Sequence, residues 1–359
     1  MQPITDNLLD WYDSHHRILP WRISPREQQA GVAVDPYRVW LSEIMLQQTT
    51  VEAVKPYFRA FVEKWPTVQH LAAASQDDVL RAWAGLGYYS RARNLKKCAD
   101  IVCADHGGHF PTDINGLKSL PGIGDYTAAA IGSIAFNIPI AVVDGNIERV
   151  ISRLYTINTP LPAAKPEIRC RMQALTPEQR PGDFAQAMMD LGATICTPKR
   201  PTCFVCPLNG DCAALRMSDP ERFPVKAPKK ERPIRLGAAF VAVSGDDEIL
   251  LRTRNEIGLL GGMAEVPTTG WTARQDGEID IAGAPFAANW TAAGNVTHVF
   301  THFELRLAVF RARDVPPPED FEGWWVKIEK LSAEALPTVM KKAIAAAIPD
   351  AFARRGKDE

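Results

Sequence analysis

Four cysteines crowd into residues 196–212, "CTPKRPTCFVCPLNGDC", with the spacing Cys196-x6-Cys203-x2-Cys206-x5-Cys212. No other feature restricts the fold so strongly, because bringing four thiols together leaves the intervening loop little freedom. The opening "MQPITDNLLDWYDSHHR" is polar, acidic and helically periodic, unlike a secretory leader. No apolar run is long enough for a membrane span. The expected setting is therefore the cytoplasm, where clustered thiols bind metal rather than pair as disulfides. Zinc would take four thiolates tetrahedrally. An iron–sulfur cubane would take one thiolate per iron, and its larger core suits a wider, uneven loop. Pro198, Pro201 and Pro207 favour a non-helical path around either centre. The spacing leaves both metals open and leans to the cluster; Cys98, Cys103 and Cys170 are scattered elsewhere.

Before and just beyond the cysteines the chain reads as nearly all helix. Apolar periodicity marks 37–49, 51–64, 88–104, 126–135, 146–155 and 183–195, with turn signals between them. Residues 218–234, "SDPERFPVKAPKKERPI", are rich in Pro and basic side chains and read as a stiff linker. After it, "LGAAFVAVSG", "EILLRTR", "THVFTHFELRLAVFRAR" and "WWVK" read as strands, and "PTVMKKAIAAAI" (337–348) as a closing helix. The prediction is a helical domain over 1–217, the linker, and a smaller α+β domain over 235–350. The net charge is −1. It is unevenly spread: 27 Lys and Arg against 24 Asp and Glu up to residue 232, then 14 against 18. The stretch 81–97 carries Arg81, Arg91, Arg93, Lys96 and Lys97 and no acid, a patch suited to phosphates or simply to solvent.

Three further segments carry chemistry. In "LPGIGDYTAAAIGSIAF" (120–136) two glycines allow a tight turn between helices and leave amides at a helix mouth, where a phosphate can be held without reading a base. A plain helix–helix turn has the same pattern. In "IPIAVVDGNIERVISRLY" (138–155) Asp144 stands where a helix cap belongs. A carboxylate there stays ionised beside the helix start and would suit a developing cation. In "YRVWLSEIMLQQTTVEAV" (37–54) Glu43 sits among apolar neighbours, which should raise its pKa enough to deliver a proton; a solvated helix Glu is the plainer alternative.

The cysteine spacing resembles the iron–sulfur loop of the endonuclease III superfamily of DNA glycosylases, and "LPGIG" with "VVDGNIERV" resembles its helix-hairpin-helix and fixed-aspartate segments. "SEIMLQQT", "LPWR" (19–22), "WAGLGYYSRARNL" (83–95) and "FAQAMMDLGATICTPKRPTC" (184–203) are similar to the adenine-excising MutY branch. The resemblance implies a mainly α helix-hairpin-helix glycosylase domain (hairpin 117–135, cluster loop 196–212) and a [4Fe-4S] cluster on Cys196, Cys203, Cys206 and Cys212. It implies Glu43 as catalytic acid and Asp144 as the group that stabilises the sugar cation, with Tyr126 and Asn146 in support. Arg22 and Gln186 would line the adenine pocket, and Gln48 and Tyr88 would wedge into the duplex. Gly122, Gly124, Lys199 and Arg200 would hold phosphates. Tyr126 stands where strand-cleaving relatives keep a Schiff-base Lys, so base excision without strong lyase activity is expected.

The remainder resembles the Nudix-like C-terminal domain of that branch. "GLLGGMAEVPTTGW" is similar to the opening of a Nudix region, but the Glu-rich metal-binding box does not follow, so no diphosphate hydrolysis is expected. Phe300, Thr301 and His302 in "VFTHFEL" match the turn that implies 8-oxoguanine recognition, Thr keeping the hydroxyl of the usual Ser. Ala264 stands where relatives often have Trp, and "ISPREQQAGVAV" (23–34) reads as an insertion after Arg22. The implied partner is double-stranded DNA with 8-oxoguanine:adenine or guanine:adenine mismatches. The implied form is a monomer in the cytoplasm, associated with the nucleoid and not with membrane.

Overall fold

The computed structural model describes residues 2–228, 231–255, 258–316 and 321–353. The chain divides into two compact units. One comprises Met1–Ala82 and Arg91–Lys229, the other Trp83–Ser90 and Lys230–Glu359.

The first unit is helical: α1 (Gln2–His15), α2 (Pro25–Gln29), α3 (Pro36–Leu46), α4 (Val51–Lys64), α5 (Val68–Ala73), α6 (Gln76–Ala82), α7 (Ser90–His106), α8 (Ile114–Ser119), α9 (Asp125–Phe136), α10 (Gly145–Leu154), α11 (Lys165–Leu175), α12 (Pro181–Thr194) and α13 (Ala213–Arg216). Caps set the ends that matter. Asp35 caps α3 through the Tyr37 amide, with Pro36 in the first turn where its missing N–H costs nothing. Asp144 caps α10. The helix α3 stops at Leu46, three residues short of the periodic pattern, because Gln48 takes the left-handed conformation (φ 56°). In α9 the consecutive residues Ala128, Ala129, Ala130 and Ile131 are all buried, so the helix is enclosed all round; it packs against α3 and α12, and α12 packs in turn against α10. Small side chains there let helix axes approach closely. Gly192 shows how closely: a Cβ on it would lie 2.6 Å from that of Asn146, so α12 and α10 meet almost backbone to backbone.

Residues 23–34 contain α2, opened by a reciprocal Ser24–Glu27 capping box. Its Gln28 donates to Asp183 at the start of α12 (3.0 Å). The Pro-rich segment departs from a free linker. Phe223 is buried, Leu161 donates to the Val225 carbonyl (2.9 Å) and Ala227 to the Leu161 carbonyl (3.4 Å). Val225 and Ala227 find backbone partners there, so the chain is tied to the helical unit at least to Ala227. Lys229 and Lys230 lie outside the described residues.

The second unit holds two three-stranded sheets. β1 (Ile234–Ala242) pairs in parallel with β5 (Glu304–Ala312), and β5 antiparallel with β4 (Thr291–Val299). β2 (Glu248–Thr253) pairs antiparallel with both β3 (Ala264–Glu265) and β6 (Trp324–Lys327). The helix α14 (Thr338–Ala347) covers the first sheet, burying Val339, Met340, Ala343 and Ile344. The stretch 297–313 forms the end of β4, a tight turn and β5. Among the described residues no helix is long and apolar enough to cross a membrane.

Candidate active site

A cavity of about 400 Å³ opens in the helical unit, lined on one side by Glu43 and Gln47 from α3 and on the other by Tyr126, Asp144, Asn146 and Gln186. Leu19, Trp21 and Arg22 close a third wall. Glu43 is 7% exposed. Burial pushes its carboxyl up to about 7 and the charge of Asp144 adds to this, while a hydrogen bond with the Tyr126 hydroxyl and the charge of Arg22 oppose it. The Tyr126 phenol is itself held well above its ordinary value, by burial first and then by Glu43 and Asp144. It is therefore a proton donor in its bond to Glu43. A carboxyl poised near neutrality can give up a proton and take one back, as general acid–base chemistry requires.

Asp144 carries two loads. One oxygen accepts from the Ile147 amide (2.7 Å), the other from the Asn146 side chain (2.9 Å). Burial raises its pKa, and those bonds together with Arg149 pull it back. The cap alone suggests an ordinary carboxylate; the cavity adds desolvation that the sequence does not show. Asn146 in turn accepts from Arg149 (2.9 Å), which also donates to the carbonyls of Gly192 (2.7 Å) and Cys196 (2.7 Å). A continuous set of bonds thus runs from Asp144 to the first cysteine of the 196–212 loop. Arg22 lines the cavity, but its guanidinium is engaged by Asp190 (2.7 Å), which also takes Arg17 (2.6 Å). Burial opposes the Arg22 charge, yet Asp190, Tyr12 and Glu43 hold its pKa above the ordinary value. Asp183, Gln186 and Asp190 form a buried polar stripe on α12, at the spacing that puts them on one face. Gln186 lines the same cavity from α12.

Residues 41–176 match the family described as HhH-GPD superfamily base excision DNA repair protein, and residues 238–346 match the NUDIX domain. An adenine DNA glycosylase of Homo sapiens is 34% identical over 94% of this chain and 72% of its own length. One of Rattus norvegicus is 36% identical over 94% and 76%. The chain belongs to the adenine DNA glycosylase family. It is a DNA N-glycosylase of base excision repair, with the helical glycosylase fold followed by a Nudix-like domain. A solved thermostable thymine-DNA glycosylase superposes with a TM-score of 0.52 at 27% identity, over 60% of this chain and 96% of that one.

The rest of the glycosylase's predicted residues fall outside the cavity. Cys196, Cys203, Cys206 and Cys212 are half-buried free thiols. Burial raises Cys206 to about 12, and Cys196, Cys212 and Cys203 all add to the rise, so the four share one electrostatic neighbourhood. Among the described residues no three His, Cys, Asp or Glu side chains are placed to grip a single metal ion. At the hairpin between α8 and α9, Gly122 has φ +78° and Gly124 caps α9 without a side chain. Both are exposed. Lys199 and Arg200 are exposed on the cysteine loop. Gln48 and Tyr88 are exposed with left-handed backbones (φ 56° and 50°), Gln48 in the first unit and Tyr88 in the segment grouped with the second. Phe300 begins the β4–β5 turn, donating to the Phe303 carbonyl (2.9 Å) and stacking on the Phe303 ring (4.8 Å), and it leaves Thr301 and His302 exposed at the tip.

Arg91 corrects the basic-patch reading. It is 8% exposed and donates to the carbonyls of Ile44 and Met45 (both 2.9 Å), closing the end of the helix that carries Glu43. Lys96 is engaged by Asp100 (2.5 Å). Asp190 and Arg91 support the site without a local sequence signal, since each acts on a residue far along the chain, whereas Arg149 acts both on nearby Asn146 and on distant Gly192 and Cys196.

Proposed function

We propose that this glycosylase removes adenine mispaired with 8-oxoguanine or guanine in double-stranded DNA, acting on a base swung out of the duplex. The observation that carries the reading is Glu43: a carboxyl with a pKa of about 7 in a cavity of about 400 Å³ that Asp144 also lines, with room for a base. Arg22 and Gln186 orient the adenine edge. Glu43 donates its proton to a ring nitrogen, so that adenine leaves neutral. The glycosidic bond breaks toward an oxocarbenium-like state, and the Asp144 carboxylate stabilises the sugar cation. Glu43, now ionised, takes a proton from the attacking water. Tyr126 holds Glu43, and Asn146 holds Asp144. Neither Tyr126 nor Asn146 can form an imine with the sugar, which supports excision without strong strand cleavage.

The amides around Gly122 and Gly124, with Lys199 and Arg200, bind phosphates; Gln48 and Tyr88 fill the gap left by the flipped base. Residues 235–350 form the 8-oxoguanine recognition domain through Phe300, Thr301 and His302, joined to the glycosylase domain (1–217) by 218–234. The four cysteines of 196–212 fit a [4Fe-4S] cluster better than zinc. The larger core of a cubane suits their wide, uneven spacing, with one thiolate for each iron. When bound, the cluster would fix the loop that presents Lys199 and Arg200 and receives Arg149.

The test is a cleavage assay on duplexes with adenine opposite 8-oxoguanine, guanine or thymine, with and without alkali. Adenine should be lost opposite 8-oxoguanine and guanine, with strand breaks only after alkali. No excision from any duplex would remove the reading, and borohydride-trapped protein–DNA adducts would replace it with a lyase.

A further inference from the structure

Arg153 is 2% exposed and forms no ion pair with any carboxylate among the described residues. Its guanidinium spends four donors on one small region. Nε donates to the Phe223 carbonyl (3.1 Å), Nη2 to the Pro198 carbonyl (3.1 Å), and Nη1 to the Thr197 carbonyl (2.8 Å) and to Cys196 Sγ (3.3 Å). Its own carbonyl accepts from the Cys212 thiol (3.7 Å). The side chain therefore reaches the first sulfur of the cysteine loop, while the backbone of the same residue meets the last.

Neutral carbonyls satisfy the hydrogen bonds of a guanidinium but not its charge. A buried cation without a counter-charge is among the most costly groups a fold can keep. Four neutral thiols supply no such charge. Four metal-bound thiolates do, because their combined charge exceeds that of the core they hold, and the centre as a whole is anionic. Arg149, one turn earlier on α10 and joined to the Cys196 carbonyl, adds a second cation on the same side. The cost runs in both directions: the anionic centre is stabilised by the cation, and the cation is tolerated because of the centre.

We propose that Arg153 is the buried counter-ion of the four-cysteine centre, and that its charge, more than its hydrogen bonds, retains the metal. The inference rests on the cluster reading given above. It assigns to α10 a role at each end, Asp144 facing the cavity and Arg153 facing the cysteines.

Two variants separate charge from hydrogen bonding. Arg153→Lys keeps the cation and loses the planar fork; Arg153→Gln keeps donors and loses the charge. Full-length proteins would be purified without reconstitution. Iron per chain, the visible charge-transfer absorbance, and the rate at which a chelator removes iron would then be measured. The counter-ion role predicts that Arg153→Lys holds its iron with loss rates near wild type, while Arg153→Gln loses it at least about tenfold faster or is isolated without it. Gln equal to or better than Lys would overturn the inference while leaving the cluster in place. Wild-type protein without iron or visible absorbance would overturn the cluster reading itself. Failure of Arg153→Gln to accumulate as folded protein, while Arg153→Lys folds with iron, counts for the charge; failure of both alike counts against it.

Discussion

Replacing Glu43 by Gln tests the site through stability as well as chemistry. In the folded protein burial holds the Glu43 carboxyl at about 7 against an ordinary 4.5, so the native state binds its proton more tightly than the unfolded chain does. The associated stability is fully present below about pH 4.5 and is lost as pH rises through about 7. At about 1.4 kcal/mol per pH unit, ionised Glu43 costs the fold about 3 kcal/mol above neutrality. Gln has nearly the same shape and no charge to desolvate. The variant should therefore gain about 3 kcal/mol on wild type between about pH 5 and about pH 8.5, read from urea unfolding followed by far-UV circular dichroism. It should bind mismatched duplex and excise nothing. A stability difference that does not move with pH would refute the claim that Glu43 is buried as an acid. Unimpaired excision would remove it from the chemistry.

Other consequences are as direct. Tyr126→Phe removes the bond that lowers the Glu43 pKa, so the alkaline limb of the single-turnover excision profile should move to higher pH than in wild type, where it falls through about 7. Asp190→Asn leaves Arg22 buried, and Arg17 half-buried, against a neutral amide and should cost about 3–5 kcal/mol in the same unfolding assay. Gly122→Ala forces a side chain into φ +78° with its Cβ 3.0 Å from that of Asn94. A loss of about 1–2 kcal/mol is expected, with weaker binding to duplexes of any sequence in a filter or anisotropy titration. Arg91→Met strands two buried carbonyls at the end of α3 and should cost about 1–3 kcal/mol, lowering the excision rate more than DNA affinity.

The parts legible in the sequence are those written locally. Glu43 lies in a helix apolar on nearly every side, and Asp144 precedes a helical pattern as a cap does; both patterns are visible within a few residues. The cysteine spacing and the strand-to-turn pattern around Phe300 are equally local. Arg17 and Asp190 are 173 residues apart, Arg91 and Ile44 are 47, and nothing in either neighbourhood announces the partner. Charge near charge in sequence misleads for the same reason: Arg91 looks like part of a basic patch and is a buried brace. The helix α2 is an intermediate case. Its Ser24-x-x-Glu27 start is a local signal, but only five residues follow, too few to show periodicity. Asp144 was half legible, since the cap is local and the desolvation comes from Tyr126, Glu43 and α12.

The strap that joins Val225 and Ala227 to Leu161 decides where the chain can be shortened. Composition changes after Met217, and a truncation designed on that change would end there. Such a fragment would discard Phe223, a fully buried ring whose carbonyl receives Arg153. It would expose apolar surface and open one side of the cysteine loop, so that poor yield would be read as failure of the helical unit itself. A fragment ending after Ala227 keeps the strap and gives that unit a fair trial on its own.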